Sequence, residues 1–243
     1  MLLGPLALLL VWLALTGTRL VSPLFLPTPI SVAKSLVAAF GTASFWLDML
    51  STVYRVLAGF ALGAVIGIPV GIGMGYSRKT YASLELVMDF FRSLPAMALF
   101  PLFLLAFGLG DKAKIAVSAW ASFLFVAINT IYGVRSCSST KVMVLRTMKA
   151  TDLQLFQKVV LPSALPGIFA GFRVSISMCL VVIVITEMFM GTKNGLGKRI
   201  YDSSMMYRVP EMFAAILITG VLGYLLNKLS AFAEERIIHW HGR

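Results

Sequence analysis

Six apolar stretches alternate with short polar segments along the chain, at about residues 2–20, 53–76, 84–107, 115–134, 167–190 and 212–232. A helix needs about 20 apolar residues to cross roughly 30 Å of hydrocarbon, and lipid offers no partners to free backbone groups. The pattern therefore predicts an all-α polytopic membrane protein with about six transmembrane helices. The third stretch is the least regular, with Glu85, Asp89 and Arg92 at its start and Pro95 and Pro101 in its middle. Proline removes a backbone donor and clashes with the preceding turn, so breaks or kinks are expected at both prolines. Such a segment is either a gate or substrate-facing wall, its unwound backbone lining a cavity, or a purely structural kink.

Within the second stretch Gly59, Gly63, Gly67, Gly71 and Gly75 recur every fourth residue and fall on one helical face. Small residues at that spacing let a second backbone approach closely, so the face is read as helix packing, with a smooth substrate groove as the alternative. Pro69 adds an expected bend in the same helix. Between residues 134 and 166 the chain turns polar, yet Leu145, Met148, Leu153, Phe156 and Val159 recur at helical intervals until Pro162 stops the pattern. This predicts a short amphipathic helix pair parallel to the membrane. Its apolar stripe, flanked by Arg146, Lys149, Asp152 and Lys158, suits either the bilayer interface or a groove on a partner protein.

Composition narrows the class further. Hydrophobic residues make up 59% of the chain and charged residues 13%, and the mean hydropathy is +0.90, beyond what a water-soluble domain can bury. One transmembrane domain over residues 1–243, with no separate soluble domain, is expected. The first stretch lacks a basic n-region and a clear small-x-small site, and reads as a retained span rather than a cleaved signal peptide. Arg78 and Lys79 in one loop, and Arg135, Lys141, Arg146, Lys149 and Lys158 in another, put both loops and both termini in the cytoplasm. Lys193, Lys198, Arg199 and Arg208 in the opposite loop oppose that bias. The formal net charge of +11 is scattered among loops, so topology accounts for it better than nucleic acid binding does.

Candidate chemistry is sparse. Cys137 and Cys179 form no disulfide framework, and His239 and His241 around Trp240 read as an interfacial tail, so no metal site is expected. Ionisable groups in apolar context are costly, which marks Arg55, Asp89, Arg92, Arg173 and Glu187 as pathway or gate candidates, against snorkelling or mutual pairing near span ends. No Gly-x-x-x-x-Gly-Lys-Ser/Thr run is present to cradle phosphates.

Taken together, these motifs resemble the binding-protein-dependent permeases of ABC importers, in the branch serving nitrate, sulfonate, taurine and bicarbonate. The resemblance runs through Leu26-Pro27-Thr28-Pro29, Leu94-Pro95-Ala96, Pro101-Leu102, Phe107-Gly108-Leu109-Gly110, Asn129-Thr130 and Gly133-Val134. It continues through Arg146-Thr147-Met148, Val159-Val160-Leu161-Pro162, Ala164-Leu165-Pro166-Gly167, Gly171-Phe172-Arg173, Glu187-Met188 and Gly195-Leu196-Gly197. The family's cytoplasmic signature is Glu-Ala-Ala, three residues, Gly, nine residues, then Ile-x-Leu-Pro. Counting back from Leu161-Pro162 sets Val159 at the Ile, Lys149 at the Gly, and Met143, Val144 and Leu145 at the Glu-Ala-Ala. Lysine takes a glycine-like positive φ only at a cost.

The resemblance implies an ATPase-coupling loop carried by Leu145, Arg146, Thr147, Met148, Lys149, Ala150, Thr151, Asp152, Phe156, Leu161 and Pro162. It also implies two ATP-binding subunits holding ATP and Mg, a second permease copy, and an extracytoplasmic substrate-binding protein, in a bacterial-type inner membrane. Two other classes remain: an ATP-independent carrier, which should show paired broken helices in two similar halves, and a membrane-embedded enzyme, which needs clustered catalytic side chains.

Overall fold

The computed structural model describes residues 3–18, 21–189 and 192–238. His239 and His241, Met190, and the ends of the first predicted span at Leu2, Arg19 and Leu20 lie outside them. Every regular element among the described residues is helical. These are α1 (Leu3–Gly17), α2 (Pro29–Phe40), α3 (Ala43–Tyr76), α4 (Arg78–Ser93), a 3₁₀ turn (Ala96–Leu99), α5 (Phe100–Phe107), α6 (Asp111–Arg135), α7 (Ser139–Thr147), α8 (Asp152–Leu155), a π turn (Phe156–Val160), α9 (Leu161–Phe189), α10 (Leu196–Met205) and α11 (Val209–Ile237).

Among the described residues four continuous helices are long and apolar enough to cross a membrane: Ala43–Tyr76, Asp111–Arg135, Asp152–Phe189 and Val209–Ile237. A bent pair, Arg78–Ser93 with Ala96–Phe107, makes a fifth at most. Of the first expected span, the described part forms helix α1, 15 residues or about 22 Å at ~1.5 Å per residue. A second short apolar helix, α2, follows it and was not foreseen from the pattern. Its start is set locally: Thr28 accepts the Ser31 N–H, and Pro29 opens the first turn, where its missing donor costs nothing.

The third span bends by 90°, and only one of its two prolines makes the break. Leu94, forced out of the helical region by the following ring, is extended at ψ 127°, and Pro95 starts the 3₁₀ turn. Pro101, expected as a second break, sits instead in the first turn of α5, where a proline is tolerated. Pro162 is absorbed differently. The Leu161 N–H reaches back five residues to the Phe156 carbonyl, and this wide turn joins α8 to α9 without ending the helix.

The chain divides into two compact units, Met1–Tyr54 with Val184–Leu222, and Arg55–Ile183 with Gly223–Arg243. The first is centred on Phe45, Leu196 and Ile218, with Leu36, Met49 and Leu222 packed against them. Trp12 adds a tie there by donating its indole N–H to the Pro27 carbonyl at 2.9 Å.

The second unit is built on α6. Ser118, Ser122, Val126, Thr130 and Val134, again four residues apart, face the five glycines of α3. A Cβ at Gly59 would stand 2.5 Å from Ser118 Oγ, at Gly71 2.5 Å from Thr130 Cβ, and at Gly75 2.6 Å from Val134 Cβ, all closer than atoms can pack. Helix α9 approaches α6 in the same way, since a Cβ on Gly167 would fall 2.6 Å from Gly133 Cα. The five glycines thus lie against α6. Buried apolar groups close both contacts: Met74, Leu124, Ala127 and Ile131 in one cluster, and Val134, Val160, Ala164 and Ile168 in another.

Gly67→Leu is expected to lower thermal stability in detergent by several degrees and to reduce yield. Its added side chain meets the Phe123 carbonyl, 2.9 Å from the new Cβ, and overpacking costs roughly 1–3 kcal/mol or more. Gly73→Leu, whose Cβ meets nothing within 4 Å, serves as the control on the same helix. Equal melting of the two variants would remove the close-packing account.

Candidate functional site

In the first unit, Glu187 is 1% exposed and its carboxylate is fully engaged. Thr52 donates its hydroxyl to the two oxygens at 2.9 and 3.0 Å, and the Gly197 N–H donates to Oε2 at 3.0 Å. Thr52 in turn accepts the Leu196 N–H at 2.9 Å, and Asp48 accepts the Gly195 N–H at 2.9 Å. Three side chains from α3 and α9 therefore receive three successive N–H groups at the start of α10, donors that no helix satisfies internally. Carboxylates are also the charge that a helix N-terminus favours. The run Gly195-Leu196-Gly197 is what permits it. Gly195 is at φ 156°, and a Cβ on Gly197 would press to 2.7 Å from Glu187 Cβ and collide with the Val184 carbonyl.

Arg199 closes the arrangement, its Nε donating to Asp48 Oδ2 at 2.8 Å. An open cavity of about 300 Å³ adjoins it, lined by Ser44, Asp48, Lys193, Asp202, Arg208 and Glu211 among others, with both charge signs present. Chemically this is a buried clasp that fixes the turn before α10.

The other ionisable candidates lie in the second unit, each with its own acid. Arg55, 4% exposed, donates Nε to Asp111 Oδ1 at 2.8 Å, and the equally buried Lys114 comes within 3.8 Å of the same oxygen. Arg173 pairs with Glu234 at 2.6 Å, and Arg92 with Asp89 at 3.1 Å on an exposed face of α4. Pro95 stands at the 90° bend, and Pro101 within the arm that follows it. Among the described residues no three His, Cys, Asp or Glu side chains gather as a metal site would require.

The polar segment after α6 forms a sharp, well-capped corner. Lys149 is left-handed at φ 57°, its N–H donates to the Arg146 carbonyl at 3.0 Å, and the Ala150 N–H donates to the Leu145 carbonyl at 3.1 Å. These are the paired bonds of a helix end that glycine makes at least cost. Thr151 and Gln154 then cap α8 reciprocally, and Arg146 bridges the corner to Asp152 at 2.5 Å.

The expected apolar stripe does not stay on one face, because this corner interrupts its period. Met148 and Leu153 are 74% and 64% exposed, as is Met143 at 66%, whereas Leu155 is buried. Val159 is buried too, and Phe156 packs on the cluster of Val134, Val160, Ala164 and Ile168 and edge-on to Tyr76.

Sequence reasoning singled out Glu187, Arg55 and Arg173 but not Thr52, Asp48, Arg199, Asp111, Lys114 or Glu234, which hold or surround them. A signal existed for the first group: the Gly195-Leu196-Gly197 run following Glu187 marks a backbone that must approach another group closely.

Long apolar helices in glycine-mediated contact, with buried ionisable groups held in ion pairs and in the clasp, are the makeup of an α-helical membrane protein. The profile described as binding-protein-dependent transport system inner membrane component matches residues 63–239, and the chain belongs to that family. It is 31% identical to the putative aliphatic sulfonates transport permease protein SsuC of Bacillus subtilis (strain 168), over 98% of this chain and 86% of that one. It is 30% identical to the taurine transport system permease protein TauC of Escherichia coli (strain K12), over 98% and 89%. It is 31% identical to the bicarbonate transport system permease protein CmpB of Synechococcus elongatus, over 97% and 87%. Among solved structures, the MetNI methionine ABC transporter in an inward-facing conformation shares the fold, with a TM-score of 0.70 at 24% identity, covering 82% of this chain and 97% of that one.

If the clasp is one cooperative unit, Glu187→Ala and Thr52→Val are expected to be strongly non-additive. A double-mutant cycle of thermal unfolding in detergent should give a coupling of about 1–3 kcal/mol, because each single change orphans the same buried partners. Additive effects would mean that the two groups act separately.

Proposed function

We propose that this chain is the permease subunit of an ATP-driven, binding-protein-dependent importer, forming a substrate pathway that opens alternately to either side of a bacterial inner membrane. It acts as one permease domain over residues 1–243 with both termini in the cytoplasm. It pairs with a second permease copy, identical or related, and with two ATP-binding subunits that hold ATP and Mg. An extracytoplasmic binding protein delivers the substrate. Family membership supports the assembly, and the basic loops after α3 and α6 support the orientation.

The substrate class is a small anion such as a sulfonate, taurine, nitrate or bicarbonate. Relatives named for sulfonate, taurine and bicarbonate transport support this, as do the buried cationic side chains Arg55 and Lys114. In this reading the ion-paired Arg55, Arg92 and Arg173, the bend at Pro95 and the arm carrying Pro101 border the pathway or its gates. Glu187 steadies the turn before α10.

The observation that carries the coupling reading is the corner at Lys149. It occupies the glycine position of the family signature, holds the left-handed backbone that glycine would supply, and presents Met148 and Leu153 outward. Exposed apolar groups beside Arg146 and Lys149 suit a cleft on an ATP-binding subunit better than open solvent. Leu145, Thr147, Ala150, Thr151 and Asp152 shape the corner. Phe156, Leu161 and Pro162 carry its position into α9.

In proteoliposomes holding the assembled transporter, Met148→Asp or Leu153→Asp is expected to leave assembly of this chain in the membrane intact while cutting ATP-driven uptake at least tenfold. Lys149→Gly, which relieves the left-handed strain, should retain uptake. Phe156→Asp should instead reduce yield, since its ring is part of the core. Undiminished uptake in both aspartate variants would sink the coupling assignment.

A further inference from the structure

At the ends of α3 and α6 three arginines of the second unit share one open cavity. Arg78, Arg135 and Arg146 line one open cavity of about 890 Å³ together with Tyr76, Val142 and Met143, and no carboxylate lines it. Arg146 shares its charge with Asp152, which lies outside that lining. Arg135 lies over the Tyr81 ring, 3.5 Å from its centre, a contact that orients the guanidinium, and Glu85 sits on the Tyr81 side away from the cavity lining. Arg78 is exposed at the first position of α4.

The cavity's position also has a meaning in lipid. Two helices of spanning length, Ala43–Tyr76 and Asp111–Arg135, both finish at it, and Tyr76 ends the first with its ring half exposed. An aromatic ring at such a helix end sits at headgroup level. Guanidinium forks match phosphate oxygens bidentately, and Val142 and Met143 add apolar wall beside them. Basic pockets between spanning helices on the cytoplasmic side are suited to anionic lipid headgroups.

We propose that Arg78 and Arg135 form a headgroup site for an anionic phospholipid of the phosphatidylglycerol type. The site rests on the orientation given above, which makes the leaflet cytoplasmic. A lipid phosphate held there braces α7, whose far end leads into the Lys149 corner. Lipid charge thereby sets how firmly that corner is presented.

The test is native mass spectrometry of the full-length chain in mild detergent, titrated with phosphatidylglycerol, phosphatidylcholine or inorganic phosphate. Wild type should retain phosphatidylglycerol in preference to phosphatidylcholine. Arg78→Gln/Arg135→Gln should weaken that retention roughly tenfold or more, and Arg78→Gln alone about fivefold, as expected for juxtamembrane charges. Lys34→Gln/Lys228→Gln, which removes as much charge from exposed positions outside the cavity, should change nothing. Equal loss in both double variants would overturn the site. Displacement of the lipid by millimolar inorganic phosphate would make it a free-anion site. Displacement by an added ATP-binding subunit would make it a protein contact.

Orientation is read separately, from Cys137 in the cavity wall, using a membrane-impermeant maleimide on inside-out and right-side-out vesicles, with Cys179 buried. Labelling only from the outside would overturn the leaflet assignment, and the detergent titration would still decide the site.

Discussion

Close backbone approach along α6 is the constraint on which the second unit depends. In lipid the apolar side chains gain nothing by leaving one hydrocarbon for another, so helices hold together through packing and hydrogen bonds. The glycines of α3 and the Gly133–Gly167 contact supply that packing, at separations where a single added Cβ has no room. Polar Ser118, Ser122 and Thr130 sit fully buried on α6, each against one of these glycines.

The first unit solves a different problem. Helix α10 begins beside apolar residues, and its first N–H groups need acceptors that lipid and core cannot give. Glu187, Thr52 and Asp48 provide them. A carboxylate buried to this depth is tolerable because each oxygen accepts a hydrogen bond and faces the positive end of a helix. Glu187, an acid in an apolar stretch of the sequence, is held here by Thr52 and by the start of α10.

Much of the architecture was legible in the chain. The second, fourth, fifth and sixth stretches became long helices because a run of apolar residues in lipid has no other way to satisfy its backbone. The glycine spacing located the contact face, although it did not name α6 as the partner. Other features were hidden because they depend on context. Pro95 and Pro101 look alike in sequence, yet one follows a residue forced into extended geometry and the other falls in a first turn. The 145–159 periodicity ran across a corner that resets the helical phase, so Leu155 points inward while Met148 and Leu153 point outward. The partners of Arg55 and Arg173 are 56 and 61 residues away, beyond any local pattern.

The central claim, that this chain works as the membrane part of an ATP-driven importer, is tested most directly by what accompanies it out of its native membrane. Tagged chain isolated in mild detergent and analysed by mass spectrometry should bring with it a separate polypeptide containing a Gly-x-x-x-x-Gly-Lys-Ser/Thr phosphate loop. That polypeptide should be present in a ratio of one per permease chain. Recovery of the chain alone, or only with copies of itself, under conditions that preserve its own fold would contradict the account and favour transport without ATP.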